Sequence, residues 1–235
     1  MGWGMKNHVI CIFGSSIMEG RIGVSDPAER WYNLLQARLS RAFPETCFPV
    51  VNSAVGGEST REIMQRFDRD VLAYAPDTCL FMAGGNNHDC RNPARILAEG
   101  ELERLMESFA ARLPAKTRVV GAVLNPVVDD WHFATRDPAF APYLAAFGGS
   151  LDASLAPERA RARAFYARQG WPCLDLYALM AGDPGRYVLR EDGIHLNRAG
   201  HALFAEKMFE LLHPLLSAMG AVPGGSGAAG RPRAS

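Results

Sequence analysis

Short runs dense in apolar and β-branched residues alternate along the chain with longer stretches in which apolar positions recur at helical spacing. The runs His8 to Phe13, about Phe48 to Asn52, Thr78 to Met82, Arg118 to Leu124 and Pro172 to Leu176 read as strands. Between them lie amphipathic segments. A helix is predicted from Asp26 to Phe43, capped by Asp26 with Pro27 in its first turn and buried through Trp31, Leu34, Leu35 and Leu39. Ser59 with Glu62 forms a capping box that opens a second helix with Ile63, Phe67, Val71 and Tyr74 inward. Asn92-Pro93 is read as the start of a helix that buries Leu102, Leu105, Met106, Phe109 and Leu113. The segment from about Pro157 to Arg168 stops at Gly170, and a last helix runs from its cap Asn197 to about Ser217 with Phe204, Met208, Leu211, Leu212 and Leu215 inward.

Strand and helix in fivefold alternation predict an α/β fold: a flavodoxin-like three-layer α/β/α sandwich around a five-stranded parallel sheet. In such sheets ligands bind outside the carboxyl ends of the strands, where the strand-to-helix loops converge. Those loops are Phe13 to Gly20 (FGSSIMEG), Asn52 to Thr60 (NSAVGGEST), Ala83 to Cys90 (AGGNNHDC) and the long Asn125 to Ser150 segment. All four are polar enough to hold a site. At 235 residues one domain is expected, residues 1–217, followed by a flexible Gly/Ala/Pro-rich tail at 218–235.

Charge narrows the partners. Twenty-five basic residues balance 25 acidic ones, so no overall field draws the protein to nucleic acid or an anionic membrane, and a neutral small molecule is an acceptable ligand. No stretch approaches the about 20 apolar residues of a membrane span, and MGWGMKNHV lacks the apolar core of a signal peptide. The five cysteines, Cys11, Cys47, Cys79, Cys90 and Cys173, are odd in number and contain no Cys-x-x-Cys pair. That usage reads as reduced core thiols in a soluble, cytoplasmic protein, without a zinc site.

The chemistry-bearing residues fall in the loops. Gly14-Ser15-Ser16 taken alone is a turn, and either serine could be a nucleophile only with a base beside it. Asp192-Gly193-Ile194-His195 can supply that base: a carboxylate three residues before an imidazole can reach Nδ1 and leave Nε2 facing outward. Acyl transfer also needs fixed donors for an oxyanion. Gly57 precedes a capped helix, where backbone N–H groups are unpaired, and Asn86 after Gly84-Gly85 can present a side-chain amide.

These four blocks, in this order and at successive strand ends, resemble the SGNH hydrolases, also called the GDSL family. The resemblance spans residues 8 to about 217. Matched residue by residue, it implies Ser16 as nucleophile, Asp192 and His195 as its partners, and the Ser16 N–H, Gly57 and Asn86 as oxyanion donors. It further implies a serine esterase acting on a small-molecule carboxylic ester, or a thioester, through an acyl-enzyme, with no metal or organic cofactor. The sequence departs from the family where Ser15 and Asn87 stand in place of Asp.

The long Asn125 to Ser150 segment carries Trp131, His132, Phe133, Phe140, Tyr143 and Phe147 and exceeds an ordinary connection, as a pocket wall or lid would. Candidates for contact with substrate are Ser15, Asn87, His88, Trp131 and Phe133. His88, Asp89 and Arg91 are read as solvent-facing or at the pocket mouth. Arg159, Arg161, Arg163 and Arg168 read as a solvated helix face, and His201 and His213 carry no special signal. Two other readings stay open: a flavodoxin-like module binding a phosphate or other small molecule in the hydroxyl-rich first loop, and an SGNH-fold protein that is catalytically silent.

Overall fold

A computed structural model describes residues 5–218; all but the first residue of the expected tail lies outside the described residues. Five strands, β1 (Ile10–Phe13), β2 (Val50–Asn52), β3 (Thr78–Phe81), β4 (Arg118–Val123) and β5 (Cys173–Asp175), form one all-parallel sheet in the order β2-β1-β3-β4-β5. Residues alternate between its faces. Ile10 and Ile12 enter one core with Leu80 and Val120, while Cys11 and Phe13 enter the other with Cys79 and Phe81. Both faces are buried, which is why the strands read as continuous apolar runs.

The helices used below are α1 (Ser16–Glu19), α2 (Trp31–Ala42), α3 (Thr60–Gln65), α4 (Glu101–Arg112), α5 (Ala156–Arg168) and α6 (Arg198–Ala218). On one face α2 packs on α6, and the Trp31 and Phe204 rings stack at 4.1 Å. On the other, α4 and α5 cover the sheet, with Phe109 stacked on Phe81 at 4.1 Å.

Four details of helix bounds and faces differ from the sequence reading. Asp26 caps a 3-10 turn, Pro27–Glu29, and the α-helix starts only at Trp31, because Arg30 is extended and the indole dives inward to donate to the Ile17 carbonyl at 3.1 Å. Pro93 likewise opens a 3-10 turn, and α4 begins at Glu101, whose carboxylate accepts from the Ala98 N–H at 2.9 Å. The second helix breaks after Gln65 and leaves Tyr74 49% exposed. On α6, Leu216 is buried while Leu211 and Leu215 are partly covered.

Arg159 is the largest correction to the expected solvated face. It is only 3% exposed, and its guanidinium donates to the carbonyls of Leu124, Asn125 and Asp152 and to the Asp152 carboxylate at 2.7 Å. Carbonyls where β4 hands over to the long loop are thereby satisfied by one planar, multiply donating group. Arg161, Arg163 and Arg168 remain on the outer side and form ion pairs there.

His201 also has a structural task. Its buried ring accepts the Trp31 N–H on Nδ1 at 3.1 Å, capping α2, and contacts the Ile22 carbonyl through Nε2 at 2.9 Å, so the ring is neutral and protonated on Nε2. Burial lowers its pKa, against the Ile22 carbonyl and assisted by Arg30 and His195. The unfolded chain therefore binds this proton more readily, and the stability involved is complete above about pH 6.5 and lost as pH falls through the folded-state value.

Two outcomes are expected. Arg159→Met should lower unfolding free energy by about 3 kcal/mol in urea titrations, since it strands buried carbonyls and the Asp152 carboxylate. The wild-type melting temperature should fall between about pH 7 and pH 5, with a shallower slope in His201→Asn because one acid-sensitive group is gone; an unchanged slope counts against the role given to His201.

Candidate active site

The carboxyl ends of the strands place the four loops of interest on one edge. After β1 the chain passes Gly14 and Ser15 into α1, with Ser15 at the cap position and Ser16 as the first helical residue. Ser16 N, at a helix start, donates to no described residue. After β2, Gly56 lies beside Ser16: a Cβ there would be in ordinary contact with Ser16 Cβ at 3.5 Å and would crowd the Glu19 carboxylate at 2.8 Å. Gly57 follows at φ +80°, a left-handed conformation that side chains disfavour, and its N–H also has no partner among the described residues. The Ser59–Glu62 capping box then starts α3, as the spacing predicts, with the Glu62 carboxylate accepting from Ser59 N at 2.8 Å.

The loop after β3 brings Asn86 to the same place. Its Nδ2 donates to Ser15 Oγ at 2.8 Å and to the Glu58 carbonyl at 3.1 Å, linking the first three loops. Asn87 is fully buried and braces the loop instead of facing the opening. Its Oδ1 accepts the Thr60 N–H at 2.8 Å, while Nδ2 donates to the Gly84 carbonyl at 2.8 Å and to the Glu158 carboxylate at 2.9 Å. A carboxylate at position 87 could make the first contact but neither donation, so asparagine is the residue that suits Glu158.

Asp192 and His195 sit on a tight loop closed by the Leu189 N–H to His195 carbonyl bond at 2.7 Å and the Gly193 N–H to Leu189 carbonyl bond at 2.8 Å. Asp192 Oδ1 accepts the backbone N–H groups of Ile194 and His195, and Oδ2 meets His195 Nδ1 at 2.7 Å. Burial alone would raise the Asp192 pKa; the imidazole and backbone bonds outweigh it and hold the carboxyl below its ordinary value. With Nδ1–H donated to Asp192, Nε2 is the acceptor. That Nε2 is buried and has no hydrogen-bond partner among the described residues.

Gly193, at φ +74°, lets this loop lie against the long segment: a Cβ there would be 2.7 Å from the Val128 carbonyl oxygen and from His132 N. The Val128 N–H donates to the Gly193 carbonyl at 2.8 Å, and buried Asn125 donates to the Ile194 carbonyl at 2.8 Å.

Two neighbouring spaces result. A narrow niche is lined by Ser15, Ser16, Gly85, Asn86, Leu124 and Ile194. A cavity of about 210 Å³ shares Gly85, Asn86 and Ile194 with it and extends between His88, Asp89 and Arg91 on one side and His132, Phe133, Phe140 and Leu155 on the other. His88, Asp89, Arg91 and Phe133 thus line the cavity, whereas Trp131 packs against Gly185 and under the Arg190 guanidinium. His132, which the sequence reading includes in the wall-forming segment without naming it a substrate contact, lines the cavity with its backbone seated against Gly193, a contact no sequence spacing announces.

Among the described residues no cluster of His, Cys, Asp and Glu could hold a metal ion, and no helix is long and apolar enough to cross a membrane. The arrangement combines a serine at a helix start, unpaired N–H groups and an acid-braced imidazole, the components of acyl transfer.

The whole fold has solved counterparts. A lipase/acylhydrolase from Enterococcus faecalis superposes with a TM-score of 0.68 at 18% identity, covering 94% of this chain and 100% of that chain. A variant of Axe2, an acetyl xylan esterase from Geobacillus stearothermophilus, gives 0.65 at 16% identity over 87% of this chain and 94% of that chain. TesA gives 0.62 at 21% identity, covering 89% of this chain and 100% of that chain. Identities this low speak for the fold alone. A search of curated proteins finds no match. The sequence profile of the GDSL-like lipase/acylhydrolase family matches residues 12–203, and with the parallel sheet and the residues gathered at its edge, the chain belongs to that family of ester-cleaving hydrolases.

Proposed function

We propose that this chain hydrolyses a carboxylic ester of a short acyl or O-acetyl group through a Ser16–His195–Asp192 triad. The observation that carries the reading is His195 Nε2, a buried acceptor without a partner on a ring whose other nitrogen is fixed by Asp192. An orphan acceptor of this kind costs folding free energy and persists where a proton is to be taken. A flavodoxin-like binding module has no use for it.

In the proposed cycle, Nε2 takes the Ser16 Oγ proton as Oγ bonds to the ester carbonyl carbon, and the carbonyl electron pair moves onto oxygen. Ser16 N–H, Gly57 N–H and Asn86 Nδ2 stabilise that oxyanion. Collapse expels the alkoxide, which leaves as alcohol with the proton from His195, and the acyl group stays on Oγ. Water, deprotonated by Nε2, repeats the steps and restores the serine. Asp192 orients the ring and stabilises the imidazolium without taking the proton. Ser15 Oγ already holds Asn86 Nδ2 at 2.8 Å, so this amide shares its hydrogens with the oxyanion from a fixed position.

A short acyl group fits a cavity of about 210 Å³, below the range of about 300–1,000 Å³ of sites for larger ligands. Axe2, a structural neighbour, is an acetyl xylan esterase, which makes acetylated carbohydrate a sensible first substrate, with lysolipid as the second arm. The free thiols of all five cysteines suit a cytoplasmic setting.

Ser16→Ala should abolish both p-nitrophenyl acetate hydrolysis and fluorophosphonate labelling with circular dichroism unchanged; equal activity in the two proteins refutes the nucleophile. His195→Ala should be nearly as damaging, Asp192→Ala about one to two orders of magnitude less so. Asn86→Ala should lower kcat by about 10²–10³-fold with little change in KM, as loss of an oxyanion donor does.

A further inference from the structure

The charged side chains that line the cavity beside the nucleophile niche are paired within the protein. Arg91 pairs with Asp137 and lies over the Phe133 ring at 4.5 Å. Asp89 pairs with Arg95 at 3.2 Å, and His88 stacks on Tyr143 with its buried Nε2 3.1 Å from the Glu158 carboxylate but in no hydrogen bond. His132 is different. It is 8% exposed, and its Nδ1 accepts the Ala134 N–H at 3.1 Å, capping the Phe133–Thr135 turn. A ring nitrogen that accepts carries no proton, so the neutral imidazole is protonated on Nε2. That Nε2–H has no hydrogen-bond partner among the described residues, on a ring that forms part of the cavity wall.

We infer that His132 is a substrate-recognition residue whose Nε2–H takes an uncharged acceptor oxygen, ether, hydroxyl or carbonyl, on the group that enters this cavity. The inference rests on the proposed esterase reading and names the chemistry its substrate must carry. The ring is rigidly held. It stacks on Phe133 at 4.6 Å, and its backbone is wedged against Gly193, two residues before His195. The donor therefore stands at a fixed offset from the imidazole that activates the nucleophile, which is what discrimination requires.

Burial lowers the His132 pKa, against Asp192 and with His195, so the ring is a neutral donor at neutral pH. An uncharged partner follows from the wall: its charges are already paired, and Phe133, Ala134, Phe140, Leu151 and Leu155 offer an apolar face to the rest of the group. A cavity of about 150 Å³ takes a benzene ring, so about 210 Å³ accommodates one ring or a short chain with an oxygen in it. Sites built to hydrogen-bond an oxygen reject analogues that lack it, because the donor is then left buried and unpaired.

Either the acyl side or the alcohol side of the ester could supply that oxygen, and paired substrates separate them. In each pair one methylene is exchanged for an ether oxygen: p-nitrophenyl butyrate with p-nitrophenyl methoxyacetate for the acyl side, butyl acetate with methoxyethyl acetate for the alcohol side. His132→Asn keeps a capping oxygen for Ala134 N, and its shorter amide leaves no donor at the Nε2 position, while His132→Phe keeps the stacked ring and has no donor at all. In one pair, kcat/KM for the oxygen-bearing ester should fall by about five- to tenfold in both variants, while its carbon analogue stays within about twofold. Equal changes for both members of both pairs overturn the inference. The Ser16→Ala protein keeps the two readings apart: if it loses all turnover while the His132 variants show no discrimination, only the role of His132 fails. Nitrogen NMR of the wild-type imidazole gives a check independent of turnover, since a His132 ring protonated on Nδ1 would refute the assignment.

Discussion

Parallel hydrogen bonding in register is the constraint on which the rest depends. Ile10 is paired with both Val50 and Thr78, Thr78 with Arg118, and Gly121 with Cys173, so the strands run together and end on one side. A parallel strand must return over a face of the sheet before it can pair again, and each return leaves a polar loop at the same edge. Ser16, Gly57 and Asn86 come from three such loops. No local preference brings them together; the sheet does, and its free energy comes from two buried faces of alternating side chains.

The fold was legible because that alternation and the caps are local signals. The strand runs, the Ser59–Glu62 box and the Asn197 cap all follow from nearest-neighbour chemistry, and each is present. Helix starts were less legible. Asp26 and Pro93 carry the right residues for an N-terminus yet serve 3-10 turns; α2 begins where Trp31 packs inward, and α4 begins at Glu101, whose carboxylate takes the Ala98 N–H. The same distance dependence hid Arg159, whose partners at Leu124 and Asn125 lie about 35 residues away. A guanidinium among other arginines on a helix gives no sign in one dimension that it alone turns inward.

The candidate site divides along the same line. Asp192 and His195 are three residues apart, and the predicted Nδ1 contact is the one found. The consequences of Ser15 and Asn87 were not readable, since they depend on Asn86 and Glu158 meeting them through space. Ser15 joins the first and third loops by a neutral hydrogen bond from Asn86, whereas Asn87 ties the third loop to the Thr60 N–H and to the Glu158 carboxylate.

The bonds from Val128 to Gly193 and from Asn125 to Ile194 join the aromatic wall to the turn that bears the imidazole. On the proposed roles of His195 and the wall, selectivity and turnover share one mechanical support. An insertion or deletion in the Asn125–Ser150 segment would retune both together, so new substrate preferences are more accessible through side-chain exchange on an unchanged backbone than through changes in loop length.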